Sequence, residues 1–171
     1  MKIIATLTLL FSLNVDSHFS KEDFKKRDAV MLEVQKVTSH VTKNNPDLTP
    51  KQARKISSVI LRKVDKHKIP KQIFIAILAQ ESMYKLSAKN CSSGKCTDLG
   101  ISQIHIGTIK RYKFDKKRLL TDLDYSVEAG CIVLKDFMIR YGKKEKNWYS
   151  RYNSSNPIAR KKYEKSIKRF L

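Results

Sequence analysis

Between Ile73 and Leu78 the chain reads IFIAIL, an unbroken apolar run that leads into Ala79-Gln80-Glu81-Ser82. Ile69-Pro70 stands ahead of it, and proline suits the opening of a helix. The pattern predicts a helix over 71–84. A helix that is apolar almost all round cannot lie on a surface, so the rest of the fold must cover it. Ile73, Phe74, Ala76, Ile77 and Leu78 have to bury most of its circumference.

Amphipathic segments that could provide cover lie on both sides of the run. Val30, Val34, Val37 and Val41 recur at helical spacing and predict a helix over 21–43, broken by Asn44-Asn45-Pro46-Asp47. Thr49-Pro50 has the chemistry of an N-cap followed by proline in the first turn. Ile56, Val59, Ile60 and Val64 would then face the core. Asp122-Leu123-Asp124 leads into a strong helix striped by Val127, Cys131, Leu134, Met138 and Tyr141, which Gly142 can end. Trp148 to Asn153 follows, then Asn156-Pro157 and a basic terminal helix. Leu86 to Gly100 is polar and reads as a loop, and Ile101 to Lys110 as a short helix or irregular segment. No stretch shows strand alternation, so the expected class is mainly α, without repeats or low-complexity linkers.

At 171 residues the chain is long enough for one domain with a real core. Met1-Lys2 followed by the apolar stretch Ile3 to Leu13 has the form of a signal peptide, with Val15 and Ser17 as small residues before a cut near His18. The alternatives are an uncleaved anchor or a buried N-terminal helix. The expected organisation is a signal peptide over 1–17, an N-terminal helical segment over 18–68 and a catalytic core with a basic terminal helix over 69–171. Export would place the protein in the periplasm or outside the cell. There Cys91 and Cys96 could close the small loop CSSGKC, with Gly94 easing the turn, while Cys131 sits on an apolar stripe and packs as a small hydrophobe. The cysteine and histidine spacings match no zinc pattern, and neither a metal nor a cofactor is expected. With 36 Lys+Arg against 16 Asp+Glu, a net +20, the chain should attract a polyanion: nucleic acid, anionic lipid or anionic cell wall. Ten of the basic residues lie beyond Tyr141. No helix-turn-helix or RNA-binding signature accompanies them, which disfavours specific nucleic-acid readout.

Glu81 follows Ile77 and Leu78 by one helical turn, where it borders the core. Desolvation disfavours the charged form of a carboxyl and raises its pKa. A carboxylic acid kept protonated near neutral pH can serve as a general acid. Helix position alone favours an ordinary solvated glutamate on a final turn, so the remaining motifs have to decide.

Those motifs are Ala79-Gln80-Glu81-Ser82, Gly100-Ile101-Ser102-Gln103 and Tyr152-Asn153, with Ser126-Val127-Glu128-Ala129-Gly130 between the last two. In this order they resemble the signatures of the SLT-type lytic transglycosylases, which share the goose-type lysozyme fold. The resemblance runs from Ile69 to Asn153. It implies a peptidoglycan-cleaving lyase acting on the β-1,4 bond between N-acetylmuramic acid and N-acetylglucosamine. One glutamate serves as acid and then base, and the sugar's own 6-hydroxyl attacks to leave a 1,6-anhydro end. By resemblance Glu81 is that acid/base. Ser82 contacts the sugar, Gly100 permits a tight turn under it, and Gln103 hydrogen-bonds a sugar group. The Tyr152 hydroxyl holds the glutamate, and Asn153 binds sugar or fixes the backbone. Ser102 replaces the commonest methionine and Ser126 the usual asparagine. Arg151 replaces the alanine before Tyr152, and Ser154 and Ser155 stand where glycines are common.

Asp98 and Asp124 are the acids nearest the motifs, and either one across the cleft from Glu81 would allow a hydrolytic, lysozyme-type reaction. An oxidised CSSGKC loop would stiffen the lip of the cleft. The expected partner is the glycan strand of the wall, engaged by a monomer. Small size and the lack of evident wall-binding repeats resemble transglycosylases that open local gaps for secretion, conjugation or phage systems. The non-enzymatic alternative is a basic wall-binding protein.

Overall fold

A computed structural model describes residues 20–171. The predicted signal peptide, 1–17, and its cleavage point lie outside the described residues. Seven α-helices are present among the described residues, with a small three-stranded sheet and one 3-10 turn. The fold is mainly α, as the apolar spacing requires. None of the described helices is long and apolar enough to cross a membrane.

Helix α1 (Lys21–Asn44) starts at Ser20, whose side chain and that of Asp23 cap each other's backbone N–H groups. Only its C-terminal half meets the core: Val37 and Val41 are buried, while Val30 is exposed. Helix α2 (Pro50–His67) begins as predicted, with Thr49 as cap, Pro50 in the first turn and Gln52 closing the capping box. Its Ile56, Val59, Ile60 and Val64 are all buried.

Helix α3 (Lys71–Ser82) runs through the centre, with every residue from Phe74 to Ala79 buried. It stops two residues before the predicted end, because Met83 and Tyr84 both turn left-handed (φ 50° and 63°). That costly pair is held from both sides. The buried Asn45 amide donates to the Met83 carbonyl at 2.7 Å, and the fully buried Tyr84 hydroxyl donates to the Ile75 carbonyl at 3.0 Å.

The region expected to be a loop is a β-meander. Strand β1 (Lys89–Ser92) pairs antiparallel with β2 (Lys95–Leu99), and β2 with β3 (Ile104–His105). Ser93 and Gly94 both have positive φ, as a two-residue hairpin turn demands. Cys91 faces Cys96 across the ladder and the two are disulfide-bonded. The strands escape sequence reading because β1 is exposed throughout, so no apolar alternation marks it.

Helices α4 (Ile106–Tyr112) and α5 (Lys116–Thr121) follow, then α6 (Leu123–Tyr141), capped by Asp122. Gly142 leaves α6 right-handed at φ −58°, not in the left-handed conformation of a glycine stop. Val127, Cys131 and Leu134 pack in the main core with α1, α2, α3 and the terminal helix. Ala129, on another side of α6, belongs to a second cluster with Leu99, Ile104, Ile109 and Leu119. Cys131 is a free, buried thiol, and burial pushes its pKa up. Trp148–Tyr152 forms the 3-10 turn, and α7 (Pro157–Ile167) closes the fold with Tyr163 and Ile167 buried. Glu145 receives both Arg151 and Arg160, tying the turn to α7.

Candidate active site

The last turn of α3, the meander, α6 and the 3-10 turn enclose a cleft of about 460 Å³. Glu81, Asp98, Gln103, Phe137, Tyr152 and Asn153 line it, with Lys89, Asn90 and His105 at its edges. Glu81, Gln103 and the adjacent pair Tyr152-Asn153, three separate points in the chain, therefore share one cavity.

Burial pushes the Glu81 carboxyl up to about 7. A hydrogen bond from the Tyr163 hydroxyl to Oε1, at 2.5 Å, works against that rise, and the negative charge of Asp98 adds to it. Glu81 thus keeps its proton to a higher pH than a free carboxyl does. Tyr163 is buried, and burial together with the neighbouring glutamate holds its own pKa well above the usual phenol range. It is therefore a neutral donor aimed at one carboxyl oxygen, leaving the other for chemistry.

Tyr152 does not hold the glutamate. Its hydroxyl donates to the Ser102 carbonyl at 2.8 Å, and its ring meets Phe137 at 65°. It braces the segment that carries Gln103 and lines the cleft next to Glu81. The residue that does hold Glu81 comes from α7, a helix that looked only basic in sequence. The available signal was the i,i+4 pair Tyr163 and Ile167, the one apolar stripe on that helix.

Ser82 also lies elsewhere than its expected sugar contact would place it. Its hydroxyl donates to the Ile101 carbonyl at 2.7 Å, and it is not a lining residue of the cleft. Gln103 sits at φ +43°, with its amide nitrogen donating to the carbonyls of Ala88 (3.0 Å) and Gly100 (2.8 Å). Its nitrogen is committed to the loop, and its carbonyl oxygen remains for a ligand. Gly100 has φ +80°, and a Cβ there would run into the Leu119 carbonyl and come 2.7 Å from Ser126 Oγ. No other residue fits that position without displacement.

The two departures at Ser102 and Ser126 lie beneath this loop. Both are fully buried, and the Ser102 hydroxyl donates to the Ser126 carbonyl at 3.3 Å. Gly130 makes room for Ser102: a Cβ there would stand 2.8 Å from Ser102 Cβ and 3.1 Å from the Phe74 ring. Ser126 is not a cap, because Asp122 accepts from the Tyr125 N–H and begins α6.

Of the two candidate second acids, Asp98 lines the cleft, with Oδ2 accepting from Asn90 (3.0 Å) and Thr97 (2.7 Å). Asp124 is bound to Arg62 (2.5 Å) and Lys63 (3.3 Å) on the α2–α6 face, away from the lining residues. Among the described residues no group of three or more His, Cys, Asp or Glu side chains is placed to hold a metal.

Comparison with known proteins follows the same residues. The family described as Transglycosylase SLT domain matches residues 58–169, from within α2 to just past α7, and so includes both Glu81 and Tyr163. Invasion protein IagB of Salmonella typhimurium is 36% identical over 77 residues, which is 43% of this chain and 48% of that protein. The same protein from Salmonella typhi matches equally, at 36% over 77 residues. The chain therefore spans about half the length of the curated relatives it matches. No solved structure matches it. The mainly helical fold agrees with the lysozyme-like architecture of SLT domains, and the chain belongs to the transglycosylase SLT domain family.

Proposed function

We propose that the protein is a lytic transglycosylase that cleaves the MurNAc–GlcNAc β-1,4 bond of peptidoglycan. The observation that carries this reading is the half-buried Glu81 carboxyl in the cleft, held by the Tyr163 hydroxyl, where desolvation pushes it up to about 7. Glu81 gives its proton to the glycosidic oxygen as the bond from the anomeric carbon breaks. The resulting carboxylate then takes the proton of the sugar's 6-hydroxyl as that oxygen bonds to the anomeric carbon, closing the 1,6-anhydro ring. One carboxyl is enough, because no water has to be activated. Gln103 and Asn153 line the cleft where they can bind the sugar, Phe137 offers an apolar wall, and Gly100 keeps the loop low.

One observation favours a second reading. Asp98 shares the cleft, and its charge acts on Glu81. If Asp98 positions a water, the same fold hydrolyses the bond and leaves a reducing end. The predicted signal peptide supports export to the wall. The relatives named invasion proteins make local wall opening for a secretion system a fitting setting.

The test is digestion of purified peptidoglycan, with fragments identified by mass spectrometry beside Glu81→Gln. The expected products carry 1,6-anhydro ends, and the variant loses about 10²- to 10⁴-fold in rate. Reducing ends would assign the lysozyme-type reaction, and no fragments from folded protein across pH would leave a binding protein.

A further inference from the structure

Helix α4 and its two capping residues, His105 and Lys113, have two working sides. His105 and Thr108 face the cleft. Ile106, Ile109, Lys110 and Lys113 turn the other way and, with Phe114 and Lys116, line a separate groove of about 420 Å³. Its floor is apolar and its rim is cationic.

The local charge is one-sided. Lys110 to Arg118 reads KRYKFDKKR, six cations and one acid. The acid, Asp115, caps α5 by accepting from the Arg118 N–H at 2.8 Å. Arg118 pairs with Asp122 at 2.9 Å and lies over the Tyr125 ring. Lys110, Arg111, Lys113, Lys116 and Lys117 are exposed, and none forms an ion pair among the described residues. Three of these unneutralised cations, Lys110, Lys113 and Lys116, line the apolar floor, and Arg111 and Lys117 are their neighbours in the chain.

We propose that this α4–α5 corner docks the protein on an anionic phospholipid surface. Lysines at the rim would meet headgroup phosphates, and the upper acyl segment of a lipid would enter the groove against Ile106 and Phe114. The floor favours lipid over nucleic acid. Its aromatic ring, Phe114, is already stacked on Tyr112 (5.4 Å, 9°) and set edge-to-face with Tyr125 (6.3 Å, 84°), so it is no open platform for a base. Docking here would hold the cleft one helix away from the membrane. The inference is independent of the reaction proposed above.

The test is titration of the full-chain protein with vesicles of phosphatidylglycerol and phosphatidylcholine, and with phosphatidylcholine alone. The neutral vesicles report what the apolar stretch Ile3 to Leu13 contributes. The variant Lys110→Gln/Lys113→Gln/Lys116→Gln is compared with Lys161→Gln/Lys162→Gln/Lys165→Gln, which removes the same charge from α7. All six side chains are exposed, and a thermal melt checks that both variants stay folded. The groove variant should bind anionic vesicles about a hundredfold more weakly and the α7 variant within about threefold of the parent. Equal losses from both variants, no loss from the groove variant, or equal binding to neutral vesicles would overturn the proposal. So would a DNA duplex bound as tightly as the anionic vesicles and lost with the same groove variant.

Discussion

Two residues meet at the half-buried carboxyl of the cleft, Glu81 and Tyr163, and they act on its pKa in opposite senses. Burial raises the Glu81 carboxyl from 4.5 to about 7, while the Tyr163 hydrogen bond favours its charged form. Because the folded pKa lies above the unfolded one, the folded state retains a proton that the unfolded chain releases. Stability from this group is full below pH 4.5 and is lost as pH rises through about 7. Glu81→Gln, which keeps an acceptor for Tyr163, should therefore match the parent at pH ~4 and exceed it by about 2–3 kcal/mol at pH ~8 in urea denaturation. Equal stabilities at both pH values would mean that the carboxyl is not desolvated. Tyr163→Phe removes the bond to the carboxylate. The alkaline limb of the cleavage profile should move up by about one pH unit, with a fall of about tenfold at the optimum. Tyr152→Phe should leave that limb in place, since its hydroxyl serves the Ser102 carbonyl. Sequence motifs picked out Glu81 as the candidate acid and gave Tyr152 as its partner, whereas the hydroxyl that reaches Glu81 belongs to Tyr163 of α7. A motif gives chain order, whereas the reach of a hydroxyl depends on how α7 packs across α3.

At the scale of elements, the loop carrying Gln103 rests on α6 through Ser102 and Gly130. The fit is tight enough that one methyl group should matter. Gly130→Ala should cost about 1–3 kcal/mol through overpacking against Ser102 and Phe74, read from urea midpoints. Adding Ser102→Gly should recover part of that loss, and strict additivity in the double-mutant cycle would refute the contact. Helices α1, α2, α3 and α6 were legible to within a few residues, because caps and apolar stripes are local signals. The meander was not. Its strands are short and largely exposed, held by a left-handed turn, a disulfide and ladder hydrogen bonds, none of which produces an apolar period.

For the molecule as a whole, charge and cleft are separable. A net +20 should draw the protein to an anionic wall, and retention should fall steeply between about 50 and about 500 mM salt, beyond which the screening length drops below roughly 5 Å. Turnover of a short uncharged glycan should change little over the same range, and a parallel loss would tie charge to the chemistry. The sequence by itself determined the helical class, the buried identity of α3 and the glutamate at its end, because caps, periodicity and apolar runs act between near neighbours. Tertiary structure alone decided which tyrosine reaches Glu81, that Asp98 enters the cleft while Asp124 is bound to α2, and that Ser82 turns inward. Those outcomes depend on distances between elements dozens of residues apart, which are set by how the helices bury α3.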